Sequence, residues 1–273
     1  MTQYSEYKKR VDYWREKLPH ANSALDKVET ILDVLAAHRE LCPPLSLPGD
    51  STLQHGLTAP RRTVPPDLIN FTALQDVFGA LAARLAPHLA TTPASVLTEL
   101  TGSYLSATQT GIDHILNAAE PELLSLVHLA LKPQMEKTAL AMLPGLPQED
   151  LLSNRCPICG ALPYASDLRN DTRERFLHCS LCGHQWNYPR VRCVFCDNID
   201  AEHLGYFTVD DTKDIRVDFC KACGSYLKNF DISQCYAPPP MPVEDTATLH
   251  LDYKAIEAGY KKTTPNYIGF LIT

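Results

Sequence analysis

Eight of the ten cysteines in this chain form four Cys-x-x-Cys pairs: Cys156/Cys159, Cys179/Cys182, Cys193/Cys196 and Cys220/Cys223. A thiolate is a soft, charged ligand, and four of them complete a tetrahedron around one ion. Eight therefore suffice for two metal sites. The residue closing each pair is Gly160, Gly183, Asp197 or Gly224. Glycine enters the left-handed backbone region freely and aspartate at modest cost. Each pair thus reads as a knuckle, a tight turn that aims two sulfurs at one ion while backbone N–H groups face the thiolates.

Spacing suggests which pairs share an ion. Nineteen residues separate Cys159 from Cys179 and twenty-three separate Cys196 from Cys220, close to the spacing of a four-cysteine site built on a hairpin. Consecutive pairing, 156/159/179/182 and 193/196/220/223, is the first expectation, with an interleaved arrangement as the alternative. Short β-prone runs at 175–178, 204–209 and 215–219 supply hairpin strands between the knuckles.

Other chemistries of these cysteines fit less well. Disulfides need an oxidising compartment, yet the first twenty residues carry Glu6, Lys8, Lys9, Arg10, Asp12, Arg15, Glu16 and Lys17 and no apolar export segment. The reading is cytoplasmic. A thioredoxin-like pair needs one reactive motif in a βαβ setting, whereas four motifs separated by hairpins suit metal. Catalytic zinc keeps an open position, which four thiolates close, so the ions are expected to hold the fold. His178 and His184 flank the second knuckle and read as neighbours of the site rather than ligands. Cys42 reads as a buried free thiol and Cys235 has no assigned role. Tetrahedral four-sulfur geometry suits zinc or rubredoxin-like iron equally.

The rest of the chain must position these sites. At 273 residues, with 45% hydrophobic and 21% charged residues, it is long enough for more than one domain. It shows no apolar run of membrane-spanning length. Over 1–150, Tyr4, Tyr7, Val11, Trp14 and Leu18 recur at helical spacing, as do Leu25, Val28, Leu32 and Leu35, then Phe71, Leu74, Phe78, Leu81 and Leu85. These stripes read as core packing. Ser23 and Asp26 resemble a capping box before the second helix. Pro93 and Pro121 suit the first turns of a helix pair near 95–119 and 121–143. A proline-rich connection over 42–66 links early helices. Beyond Cys235, Pro238-Pro-Pro240 reads as a stiff spacer. Asp245-Thr246 then caps a last helix carrying Leu249, Tyr253 and Ile256 and stopped by Gly259.

Charge bears on partners. Residues 155–235 hold ten Lys or Arg against eleven Asp or Glu, and each divalent four-thiolate site adds −2. That is no basic footprint for nucleic acid. Arg173, Arg175, Arg190 and Arg192 could form a local stripe, but solvated or acid-paired arginines explain them as well. No Gly-rich phosphate loop, Ser/His/Asp signature or helical His-Glu-x-x-His is present.

One family shares this order of motifs. Cys156-Pro-Ile-Cys-Gly160, Arg175-Phe-Leu-His-Cys-Ser-Leu-Cys182, Trp186, Arg190, Cys193-Val-Phe-Cys196, Arg216-Val-Asp-Phe-Cys-Lys-Ala-Cys223 and Ser225-Tyr-Leu-Lys228 follow a helical N-terminal region. The sequence resembles the formate dehydrogenase accessory proteins, FdhE, as does its tail of Glu244-Asp-Thr-Ala-Thr-Leu-His-Leu-Asp252 before Gly259-Tyr260. It departs where the family's Asn-Pro-Phe is replaced by Asn266-Tyr267. The resemblance implies a cytoplasmic non-enzyme with two rubredoxin-like metal sites that binds the catalytic subunit of formate dehydrogenase during maturation.

The expected architecture is α+β. It comprises a helical domain over 1–150, tandem rubredoxin- or zinc-ribbon-like modules over 151–235 (156–182 and 193–223), and a proline spacer with a short helical tail over 236–273. The cofactors are two metal ions, zinc or iron, each held by four cysteines. Trp186, Arg190 and Tyr226 are candidate partner contacts, since Trp, Tyr and Arg dominate interface hot spots; packing within the module is the plainer reading of both aromatics. An iron-sulfur electron carrier and a nucleic-acid-binding zinc ribbon are the alternative functions.

Overall fold

The computed structural model describes residues 2–45, 64–106, 120–145, 153–209, 212, 214–235 and 237–269. Helices α1 (Thr2–Lys17), α2 (Asn22–Arg39), α3 (Phe71–Leu85), α4 (Ala94–Ser106) and α5 (Pro121–Met142) come first. Their apolar stripes bury as their spacing predicts: Val11, Trp14, Leu25, Val28, Leu74, Phe78 and Leu81 are all inside. Most of the proline-rich connection and residues 107–119 lie outside the described residues.

Two helix-start expectations fail among the early helices. Helix α2 begins at Asn22, after a short turn over Pro19–Ala21, with no side-chain cap, so Ser23 is already helical. Pro93 lies just before α4, its carbonyl accepting from Val96 and Leu97 N–H. Asn70, which the sequence reading passed over, caps α3 by accepting from Ala73 N–H at 3.0 Å.

Helix α5 is buried on nearly every side although it carries Ser125, His128, Lys132, Gln134 and Thr138. A polar group inside is tolerated only when hydrogen-bonded. Gln134 holds both backbone groups of Asn70 at 2.9 Å, and Thr138 accepts from Leu45 N–H at 2.9 Å. The helix is thus the spine on which the loops and the metal region are hung.

The C-terminal half joins the two four-cysteine modules in one continuous sheet. Strands β1 (Pro163–Arg169), β2 (Glu174–Cys179), β3 (Gln185–Asn187), β4 (Leu204–Thr208), β5 (Ile215–Cys220) and β6 (Ser225–Asp231) lie in the order β3-β2-β1-β6-β5-β4. β1 and β6 pair in parallel, joining two antiparallel ribbons. A short β7 (Lys261–Lys262) adds beside β6.

The chain closes with α6 (Met241–Ala247) and α7 (Leu249–Glu257). Asp245 lies inside α6 instead of capping a helix, because Pro242 already serves the first turn. Gly259, at φ +89°, ends α7 as its sequence suggests. The face of α7 is reversed from expectation: Tyr253 and Ile256 are exposed while Leu251, Asp252 and Ala255 are buried. The tail does not hang free. Glu244 accepts from the Arg10 guanidinium and from Trp14 Nε1 at 3.1 Å, tying α6 to α1. No described helix is long and apolar enough to cross a membrane.

Candidate metal centres

Local backbone chemistry builds each knuckle. The closing residues Gly160, Gly183, Asp197 and Gly224 all adopt positive φ, from 64° to 73°. Gly160 N–H donates to Cys156 O at 2.9 Å, Asp197 to Cys193 O at 3.0 Å and Gly224 to Cys220 O at 2.8 Å. Backbone N–H groups also face the sulfurs: Leu181 and Cys182 toward Cys179 Sγ, and Phe195 toward Cys193 Sγ, each at 3.4 Å.

Folding the sheet brings these turns together in consecutive pairs. Cys156, Cys159, Cys179 and Cys182 form site I; Cys193, Cys196, Cys220 and Cys223 form site II; within each, the sulfurs lie within 4.8 Å of one another. Thiolates around a tetrahedral ion with bonds of about 2.3 Å stand about 3.8 Å apart. Site II matches, with Cys193–Cys223 at 3.7 Å and Cys196–Cys220 at 3.8 Å. Site I is slightly tighter, with Cys156–Cys182 at 3.5 Å and Cys159–Cys179 at 3.3 Å. The donor sets fit a closed structural ion, zinc or iron.

Surroundings distinguish the sites. All four cysteines of site I are buried, whereas Cys196 is exposed and Cys223 partly so. Behind site I, His128 Nε2 and Lys132 Nζ both meet Ser180 O in the second knuckle, and Tyr104 OH meets His128 Nδ1 at 2.6 Å. Burial, then the Lys132 charge, pushes the His128 pKa down to about 3, so its imidazole is neutral. Burial also lowers Lys132, against the opposing pull of Glu136 and the nearby cysteines. A cation beside four thiolates offsets part of their charge. The sequence reading missed both residues. Their spacing of four on one helix face was the available signal.

His178 and His184 are not in the clusters. His178 bonds Asp167 at 2.6 Å. Burial raises Asp167, but the bonds from His178 and Arg169 outweigh it and hold the carboxylate below its ordinary range. His184 stacks parallel to Trp186. Trp186 is buried and donates Nε1–H to Ser153 O at 2.8 Å. Tyr226 is buried with its hydroxyl on Asp252 at 2.8 Å. Neither ring faces solvent; Arg190, by contrast, is on the surface. Of the arginine stripe, Arg173 pairs with Asp231 and Arg192 with Asp197, while Arg175 is buried. Cys42 is buried and Cys235 exposed.

Gly205 fixes the outer hairpin of site II. A Cβ there would come within 2.5 Å of the Phe219 ring, its cross-strand partner, which stacks on Tyr260 at 4.5 Å. Overpacking of this kind costs roughly 1–3 kcal/mol. Gly205→Ala is expected to lower the melting temperature without removing metal, as thermal unfolding and elemental analysis would record.

Residues 155–190 match the model of "FdhE, central domain" and residues 191–268 that of "FdhE, C-terminal domain". Over residues 155–268 the chain is similar to the FdhE proteins. It is 36% identical over 126 residues to the FdhE homologue of Aquifex aeolicus, covering 45% of this chain and 44% of that one. Against the Proteus mirabilis homologue it is 26% identical over 200 residues, covering 65% and 64%. The chain spans under half the length of most of the curated FdhE relatives it matches. The crystal structure of FdhE from Pseudomonas aeruginosa superposes with a TM-score of 0.68 at 23% identity, covering 98% of this chain and 96% of that one. At that identity the likeness establishes the fold, helical region included.

Proposed function

We propose that this protein is a cytoplasmic accessory protein in formate dehydrogenase maturation, a non-enzyme that binds the catalytic subunit until its cofactor is loaded. The observation that carries this reading is the FdhE domain match over 155–268. The site chemistry supports it: four thiolates around each ion leave no coordination position for a substrate. The ions, zinc or iron, then serve to make a small, rigid surface out of sheet and knuckles. A transient complex suits the task, since the accessory must release its client.

The exposed edge of site II favours a second reading, electron transfer through iron at Cys196; a visible spectrum that bleaches on reduction is its signature. The nucleic-acid reading loses support from the acid pairing of Arg173 and Arg192. Affinity capture from the protein's own cells tests the proposal. The dehydrogenase catalytic subunit is the expected co-purifying protein, and its absence under mild, native conditions contradicts the client-binding reading.

A further inference from the structure

A groove of about 250 Å³ opens beside site II, lined in part by Arg175, Arg190, Val191, Leu204, Tyr206 and Phe219. It is smaller than the ~300–1,000 Å³ usual for sites that enclose a whole small ligand or cofactor. It has room for one or two side chains. Its walls are largely apolar, and Val191 and Tyr206 stand 64% and 62% exposed. Strand β4 supplies part of this lining and, among the described residues, is the last strand of the sheet, paired on one side only. An open edge invites main-chain pairing with another polypeptide.

Charge narrows the occupant. Arg192 is held by Asp197 at 2.6 Å, and Arg216 by Asp218 at 2.7 Å. Arg175 is buried, reaches Asp218 only at 4.0 Å, and its Nε has no partner among the described residues. Arg190 is exposed and has no carboxylate partner among the described residues. The thiolates of site II, which contribute Cys193 and Cys220 to the lining, offset part of this charge from behind. Among the described lining residues, the exposed arginine without an acid partner is Arg190.

We propose that the groove and the β4 edge receive an extended segment of the client polypeptide: an apolar side chain fills the groove and a neighbouring carboxylate pairs with Arg190. This rests on the client-binding reading and names the surface for it. A main-chain ladder supplies affinity, and the groove with its arginine supplies selectivity.

The test is quantitative capture of the formate dehydrogenase catalytic subunit by wild type, by Arg190→Glu and Tyr206→Asp, and by Tyr253→Asp. Tyr253 is exposed on α7 and outside the groove lining. All variants are at surface positions, and metal content and melting temperature verify their folding. We expect Arg190→Glu and Tyr206→Asp to weaken capture at least ~10-fold, the scale of an interface hot spot, with Tyr253→Asp within twofold of wild type. A photo-crosslinking residue at position 206 should recover a client segment with an acidic residue next to an apolar one. Equal capture by all variants overturns this inference alone, whereas no capture by wild type overturns the client-binding reading with it. If inorganic phosphate or acetate raises the melting temperature in an Arg190-dependent way while capture is unchanged, the groove serves a free anion and the peptide proposal fails.

Discussion

Cys159→Ser is expected to leave little soluble protein, while Cys196→Ser yields soluble protein that has lost one metal ion. Structural metal binding contributes of order 10 kcal/mol in small zinc peptides. Whole domains are stable by only about 5–15 kcal/mol. Site I is buried, its second knuckle is bonded to His128 and Lys132 of α5, and its cysteines belong to the same hydrophobic core as the helices. Losing that ion removes the packing between sheet and spine. Site II lies at an exposed corner, so its loss is confined to the β4–β5 hairpin. Wild type should hold two ions per chain, zinc and iron combined. A soluble Cys159→Ser protein that retains both would show that site I does not organise the fold.

Lys228→Met is expected to destabilise the protein markedly, without touching a cysteine. Lys228 is fully buried on β6, its ammonium 2.9 Å from Asp245 and 2.6 Å from Asp252. Asp252 also meets Lys262 at 2.6 Å and the Tyr226 hydroxyl, while Asp245 accepts from Tyr267 N–H at 2.8 Å. Removing one member of a buried ion pair costs about 3–5 kcal/mol, because the remaining charge has no solvent. At roughly 2–4 °C per kcal/mol for a chain near this size, the melting temperature should fall by about 10 °C. Adding Asp245→Asn and Asp252→Asn to Lys228→Met should recover much of the loss, since the uncompensated carboxylates are gone. An unchanged melting temperature in the single variant would mean the network contributes nothing.

The same network predicts a pH profile. Burial pulls Lys228 down, but Asp245 and Asp252 outweigh it and raise its pKa above the ordinary 10.5. Its contribution is complete below pH 10.5 and disappears as pH rises through the folded value. Burial pushes Asp252 up, but Lys228 and Lys262 outweigh it and hold it below 3.8. That contribution stands above pH 3.8 and is lost as pH falls through the folded value. Between those limits this network should give a flat stability profile in thermal melts.

Legibility follows from which forces act locally. The knuckles are local: two sulfurs, a closing residue at positive φ and a hairpin spacer are all written within a few residues, so the two four-cysteine clusters and their consecutive grouping were readable. Helical stripes such as Leu25, Val28 and Leu32 were readable for the same reason. Long-range polar pairing was not. Lys132, Lys228 and Asp252 look like solvated charges in the sequence, and only the fold shows that each is buried against a partner more than ten residues away. Asp252 also explains the misread face of α7: its bonds to Tyr226, Lys228 and Lys262 turn Tyr253 and Ile256 outward. The parallel β1–β6 pairing that fuses the two modules joins strands over sixty residues apart, with no local signal to mark it.

Formate-dependent dye reduction in cells lacking this protein is the most direct test of the accessory role. Activity should be lost in those cells and restored by supplying the wild-type chain, with the dehydrogenase polypeptide still being made. Normal formate dehydrogenase activity in its absence would contradict the account.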